Sequence, residues 1–134
     1  MSTYERTISM EVDPDTVFGF ISDPNNLPQY APTVQLAEPL ADGRIRVQGR
    51  VNGHDYQAEG FFRVDAAQRR IDWGSEGDRH YHGWLKVHSG DVTPSLSEVT
   101  MELTFHSGRP ESGEKILEEM ERALEAIFHR FVVA

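Results

Sequence analysis

The chain has 134 residues, 38% hydrophobic and 26% charged, the balance of one soluble globular domain with enough apolar material for a real core. With 22 acidic and 13 basic residues the net charge is −9, so a phosphate backbone is repelled and no nucleic-acid partner is expected. Absence of cysteine excludes disulfides, thiolate metal sites and thiol nucleophiles; no segment has the apolar length of a signal or a membrane span, so a cytoplasmic, non-membrane protein is expected.

Thr3 to Val12 alternates, with Tyr4, Arg6, Ile8, Met10 and Val12 on one face, and reads as a half-buried strand. Asp13-Pro14-Asp15-Thr16 then starts a helix: Asp13 caps free N–H groups, Pro14 suits the first turn and Asp15 complements the dipole. Val17, Phe18 and Ile21 form its buried stripe, ending near Asp23. Pro24, Pro28 and Pro32 allow one further helical turn around Leu27 to Tyr30 before Val34 to Leu40, an irregular strand.

From Arg44 to His106 apolar residues recur at every second position. Val51-Asn52-Gly53-His54 predicts a two-residue hairpin, because both central residues of a type I′ turn need positive φ. Closing it sets Arg50 against Asp55 and Arg46 against Glu59 on one face, with Val47 against Ala58, Gly49 against Tyr56 and Ile45 against Gly60 on the other. A slip of one residue would invert every side chain, so charge and apolar patterns choose the same register. A second hairpin around Ala66 to Arg69 pairs Val64 with Ile71 and Phe62 with Trp73, setting Arg63 against Asp72 and Asp65 against Arg70. A third joins Tyr81–Val87 to Val99–Phe105 through Ser89–Ser97. About seven antiparallel strands result.

Glu114 to Val132 carries Ile116, Leu117, Met120, Leu124, Ile127, Phe128 and Phe131 on one face of a 3.6-residue period. Such a stripe must be buried, and the concave side of the sheet is the partner large enough. Glycines at 49, 60 and 83 on that inner face predict unfilled space between sheet and helix. No repeat or linker divides the chain, so residues 1–134 are expected to form a single domain.

Strand, two short helices, six-stranded meander and long C-terminal helix is the order of the helix-grip α+β fold. The segment Val17-Phe18-Gly19-Phe20-Ile21-Ser22-Asp23-Pro24-Asn25-Asn26-Leu27-Pro28-Gln29-Tyr30-Ala31-Pro32 resembles the helix-turn segment of the START-like superfamily, and Ile116–Phe131 is similar in position and pattern. The bacterial polyketide cyclase/dehydrase and lipid-transport branch is the part of it that the chain resembles. The resemblance implies a cavity between sheet and helix for lipids, quinones, polyketides or other apolar molecules, in a superfamily of carriers, enzymes and protein-binding regulators.

Residues expected to contact such a ligand are Arg6, Tyr30, Tyr56, Phe62, Trp73, Tyr81, Met101, Phe105, Met120, Leu124 and Ile127: aromatic and apolar walls with a few groups to orient a molecule. Each is equally compatible with plain core packing. Arg6 stands on the apolar face, and a buried guanidinium needs a partner: a ligand carboxylate, Glu121 or Glu125 of the last helix, or water at the strand's open end. His80 and His82 share a face and His106 follows, but the alternation that buries Leu85 and Val87 turns His80, His82 and Trp84 outwards, so neither a metal nor another cofactor is expected. Trp84 there is a candidate partner surface. No nucleophile elbow occurs, and of the carboxylates only Glu38 is placed where it could face inwards. Non-catalytic binding of an apolar or amphipathic small molecule by a monomer or homodimer is the leading expectation. A polyketide cyclase, aromatase or dehydratase, and a protein-binding regulator with a filled core, are the alternatives.

Overall fold

A computed structural model describes residues 2–30, 34–51, 53–75, 81–90, 96–105 and 113–132. Strand β1 (Ser2–Met10) is followed by α1 (Pro14–Ile21), a 3₁₀ turn (Pro24–Asn26) and α2 (Leu27–Tyr30). Then come β2 (Val34–Pro39), β3 (Arg44–Val51), β4 (His54–Asp65), β5 (Arg70–Ser75), β6 (Tyr81–Ser89), β7 (Ser97–Phe105) and α3 (Gly113–Val132). The seven strands form one antiparallel sheet in the order β1-β7-β6-β5-β4-β3-β2.

The expected starts and registers hold. The Asp13 carboxylate accepts from Thr16 N at 3.1 Å, capping α1 ahead of Pro14. Val51 pairs with His54 and Arg46 with Glu59, as the Asn-Gly turn requires; Gly53 has φ +79°, and Asn52 lies outside the described residues. Val64 pairs with Ile71 and Phe62 with Trp73. A register shift between Val34 and Leu36 accounts for the irregular pattern of β2. Asp65 stands opposite Arg70 and Arg63 opposite Asp72 as expected, while the Arg70 guanidinium forks onto Asp72 of its own strand (2.9–3.2 Å). Residues two apart on a strand share a face, and Asp65 instead accepts from Gln68 N at 3.2 Å to close the turn.

The long helix packs against the sheet, its apolar stripe joining side chains from strands on both sides of the centre. The main contacts of α3 are with β1, then α2, and to a smaller extent β7. Met120, Leu124 and Ile127 are buried together with Met10, Val17, Ile21, Ile71, Leu85, Val99 and Met101 in one cluster. Each such side chain contributes roughly 1.5–3 kcal/mol by leaving water.

Gly83 corrects the inference from inward glycines. A Cβ built there would lie 2.6 Å from Cζ2 and 2.7 Å from Cε2 of Trp73, and 2.8 Å from Cδ2 of Leu103. The missing side chain is therefore filled by the indole directly opposite in β5. Gly49 and Gly60 are buried, opposite Tyr56 and Ile45.

Candidate functional site

Several expected ligand contacts belong to the packed interior. Phe62, Met101, Met120, Leu124 and Ile127 are all buried core members, and Trp73 is partly buried against them. The Tyr30 hydroxyl donates to the Ile21 carbonyl at 3.1 Å, tying α2 to the end of α1. Burial, reinforced by the nearby Asp23 charge, raises the Tyr30 hydroxyl well above the usual tyrosine value, so it stays a donor. The strands carry Tyr56, Tyr81 and Phe105 in register, but their side chains lie outside the described residues.

Arg6 takes the helix partner. Its Nε lies 3.4 Å from Oε1 of Glu121 and its NH1 donates to the Glu5 carbonyl at 3.0 Å. The two side chains are 41% and 58% exposed, so the guanidinium meets both the helix glutamate and water. Exposed pairs of this kind contribute about 0.2–1 kcal/mol.

Open space is found further along the same strand. A cleft of about 350 Å³ is lined by Ser9, Met10, Glu11, Val12, Leu96, Phe128 and Phe131. It exists because β1 stops at Met10 and the chain turns away into α1, while α3 continues past that point. Its C-terminal aromatics are left facing a strand that has ended. The Ser97 hydroxyl donates to the Val12 carbonyl, fixing that turn against the start of β7. Phe131 is held edge-on by Phe20, with ring centroids 5.5 Å apart, and Phe20 leans on Tyr30 at 6.0 Å. The walls are apolar, while Ser9 and Glu11 are exposed. Sequence reading put Phe128 and Phe131 on the helix's apolar stripe but not in the site. The available signal was two phenylalanines crowding the stripe's last turn, where smaller residues would have sufficed.

The convex face holds the polar groups. The Nε2 of His82 lies 3.2 Å from Oδ1 of Asp72, a carboxylate that sequence spacing alone did not bring to it. Arg70 lies over the Trp84 ring at 4.8 Å, and Arg63 over Phe61 at 4.7 Å. Trp84 is thus packed under Arg70 rather than bare. Glu38 is exposed and pairs with Arg46 at 3.7 Å, so it is not an inward acid. Among the described residues no three His, Asp or Glu side chains form a metal-binding group; His80 and His106 lie outside them.

Burial pushes the Asp72 carboxyl up, but the hydrogen bonds and charge of Arg70, with a smaller contribution from His82, hold it below the usual carboxylate range. A lowered folded pKa means that the stabilisation is present above the unfolded value and lost as pH falls through the folded one. An Asp72→Asn variant should therefore melt below the parent at pH 7 and converge with it only at about pH 2, below the ordinary carboxylate range. Thermal melts at both pH values check this; a gap that stays constant with pH would contradict it.

With this geometry in hand, the relatives are informative. Residues 1–134 match the model of the polyketide cyclase / dehydrase and lipid transport family, and the chain belongs to that family. Its fold is that of the START-like superfamily. A START superfamily protein from Mycobacterium smegmatis aligns with TM-score 0.76 at 15% identity, over 96% of this chain and 95% of its own. XoxI from Bacillus cereus aligns with TM-score 0.79 at 16% identity, over 98% and 96%. The di-domain ARO/CYC protein BexL, from the BE-7585A biosynthetic pathway, aligns with TM-score 0.74 at 20% identity over 96% of this chain but 46% of its own. At these identities the likeness concerns the fold. No curated protein matches the chain by sequence. Among the described residues no helix is long and apolar enough to cross a membrane.

Proposed function

We propose that the protein is a cytoplasmic, non-catalytic carrier or receptor for an apolar or amphipathic small molecule, held between the end of β1 and the C-terminal half of α3. The observation that carries this reading is the cleft itself. Its volume of about 350 Å³ falls near the lower end of the roughly 300–1,000 Å³ found for small-molecule sites, and its walls are two phenylalanines with Met10, Val12 and Leu96. Membership of a family described by both cyclisation and lipid transport supports a small-molecule role without choosing between them. The lining supports binding over acid–base chemistry: it supplies one carboxylate and one hydroxyl, both exposed at the rim. The net charge of −9 argues against a nucleic-acid ligand, and the lack of cysteine suits a reducing compartment.

Filling the cleft tests the reading. A Phe128→Trp variant should keep the parent's circular dichroism and melting temperature while weakening uptake of the neutral probe N-phenyl-1-naphthylamine by at least about fivefold, since a ligand and the added ring cannot share the space. Unchanged uptake by a folded variant, or no uptake by the parent, would defeat it.

A further inference from the structure

We infer that the cleft selects a positively charged amphiphile, an alkylammonium or quaternary ammonium carried on an apolar chain, over a fatty acid of the same length. This rests on the binding role just proposed and adds the sign of the headgroup. Glu11 is the one ionisable side chain in the lining, and it stands exposed at the mouth beside the apolar Met10 and Val12. The rings of Phe128 and Phe131 line the same cleft, and aromatic faces attract cations and repel carboxylates. A carboxylate and two phenyl rings lining one cleft make a place for an ammonium group, with Met10 and Val12 receiving the chain.

The same aromatic cluster already holds a cation. The guanidinium of Arg130 lies 5.5 Å from the centroid of Phe20, the ring that packs edge-on against Phe131. Arg130 is thereby engaged on the Phe20 ring rather than offered at the mouth to a fatty acid. Arg6, the basic residue of β1, is paired with Glu121. His129 stands edge-on to Phe128 at 5.7 Å and is exposed. The surrounding net charge of −9 adds a long-range term of the same sign.

The experiment is competition against N-phenyl-1-naphthylamine at pH 8 and low salt, using dodecyltrimethylammonium, dodecanol and dodecanoate below their micelle concentrations. Dodecyltrimethylammonium should displace the probe at a concentration about tenfold below dodecanoate, the effect of one exposed ion pair together with one cation–π contact. Glu11→Gln should cut that preference, read as the ratio of the two charged competitors on the same variant, by at least about threefold. A Phe128→Leu variant, which keeps the wall apolar, should reduce it as well. Dodecanoate competing as well as or better than the cation, or a preference untouched by Glu11→Gln and Phe128→Leu, would overturn the inference while leaving the container intact. Failure of the parent to take up the neutral probe at all would overturn the container and this inference together.

Discussion

A Gly83→Ala variant should unfold with about 1–3 kcal/mol less free energy than the parent, the usual cost of forcing atoms into a filled core. Two effects oppose each other at this position. Alanine restricts the unfolded chain more than glycine does, which at a compatible site stabilises by about 0.4–1 kcal/mol. Against that, the new methyl would sit 2.6–2.8 Å from the Trp73 indole and the Leu103 side chain. An indole is a rigid plate, and this one has Phe62 as its partner on the other side, so it cannot withdraw without disturbing β4. The steric term is the larger and decides the sign. Gly19 supplies the control: it lies in α1, exposed, with nothing within 4 Å of a built Cβ. Gly19→Ala should stabilise by up to about 1 kcal/mol, as expected for a helix interior. Urea denaturation of both variants reads the contrast. In the double variant Gly83→Ala/Trp73→Leu the penalty should be less than the sum of the two single losses, because the two sites share one space. A Gly83→Ala protein as stable as the parent would mean that the indole does not occupy it.

That glycine also shows what the linear sequence could and could not carry. Hairpin registers were legible because each is local: Asn52-Gly53 names a turn type, and Arg46 with Glu59 and Arg63 with Asp72 confirm the pairing two or more rungs away. The helix start at Asp13 and the stripe of α3 were legible for the same reason. Gly83 was placed on the correct face, but whether its empty volume stays empty depends on how far an indole reaches across from β5. Strand pairing does not specify that distance. The pairing of β1 with β7 joins residues about a hundred positions apart, and no turn encodes it. The cleft depends on that pairing twice over, since it requires β1 to end beside Leu96 and α3 to run on past Met10. Strand alternation set Arg6 on the apolar face but left a ligand, a helix glutamate and water open as its partner. Alternation reports which face a residue takes and not how far the covering helix extends over it.

The largest single loss of stability should come from Leu124→Ala. Leu124 is 2% exposed and lies in the same cluster as Met120 and Ile127, at 1% and 0%. Removing three carbons there forfeits their transfer energy and leaves a hole that the neighbouring strands, held in a seven-stranded ladder, cannot close. Leu→Ala changes at such sites cost about 2–5 kcal/mol, a large share of the roughly 5–15 kcal/mol that a domain possesses. Phe128→Ala is the informative comparison. Phe128 is only partly buried and borders the cleft, so its truncation enlarges an existing opening rather than creating a sealed one. It should cost less than Leu124→Ala and change the size of ligand accepted. Equilibrium denaturation combined with probe titration separates the two. Leu124→Ala should lower the unfolding midpoint while its folded fraction binds the probe with parental affinity, whereas Phe128→Ala should alter affinity with the smaller loss of stability. If instead Leu124→Ala abolished probe binding by protein still shown to be folded, the ligand space would have to lie at the middle of α3 and not at its C-terminal end.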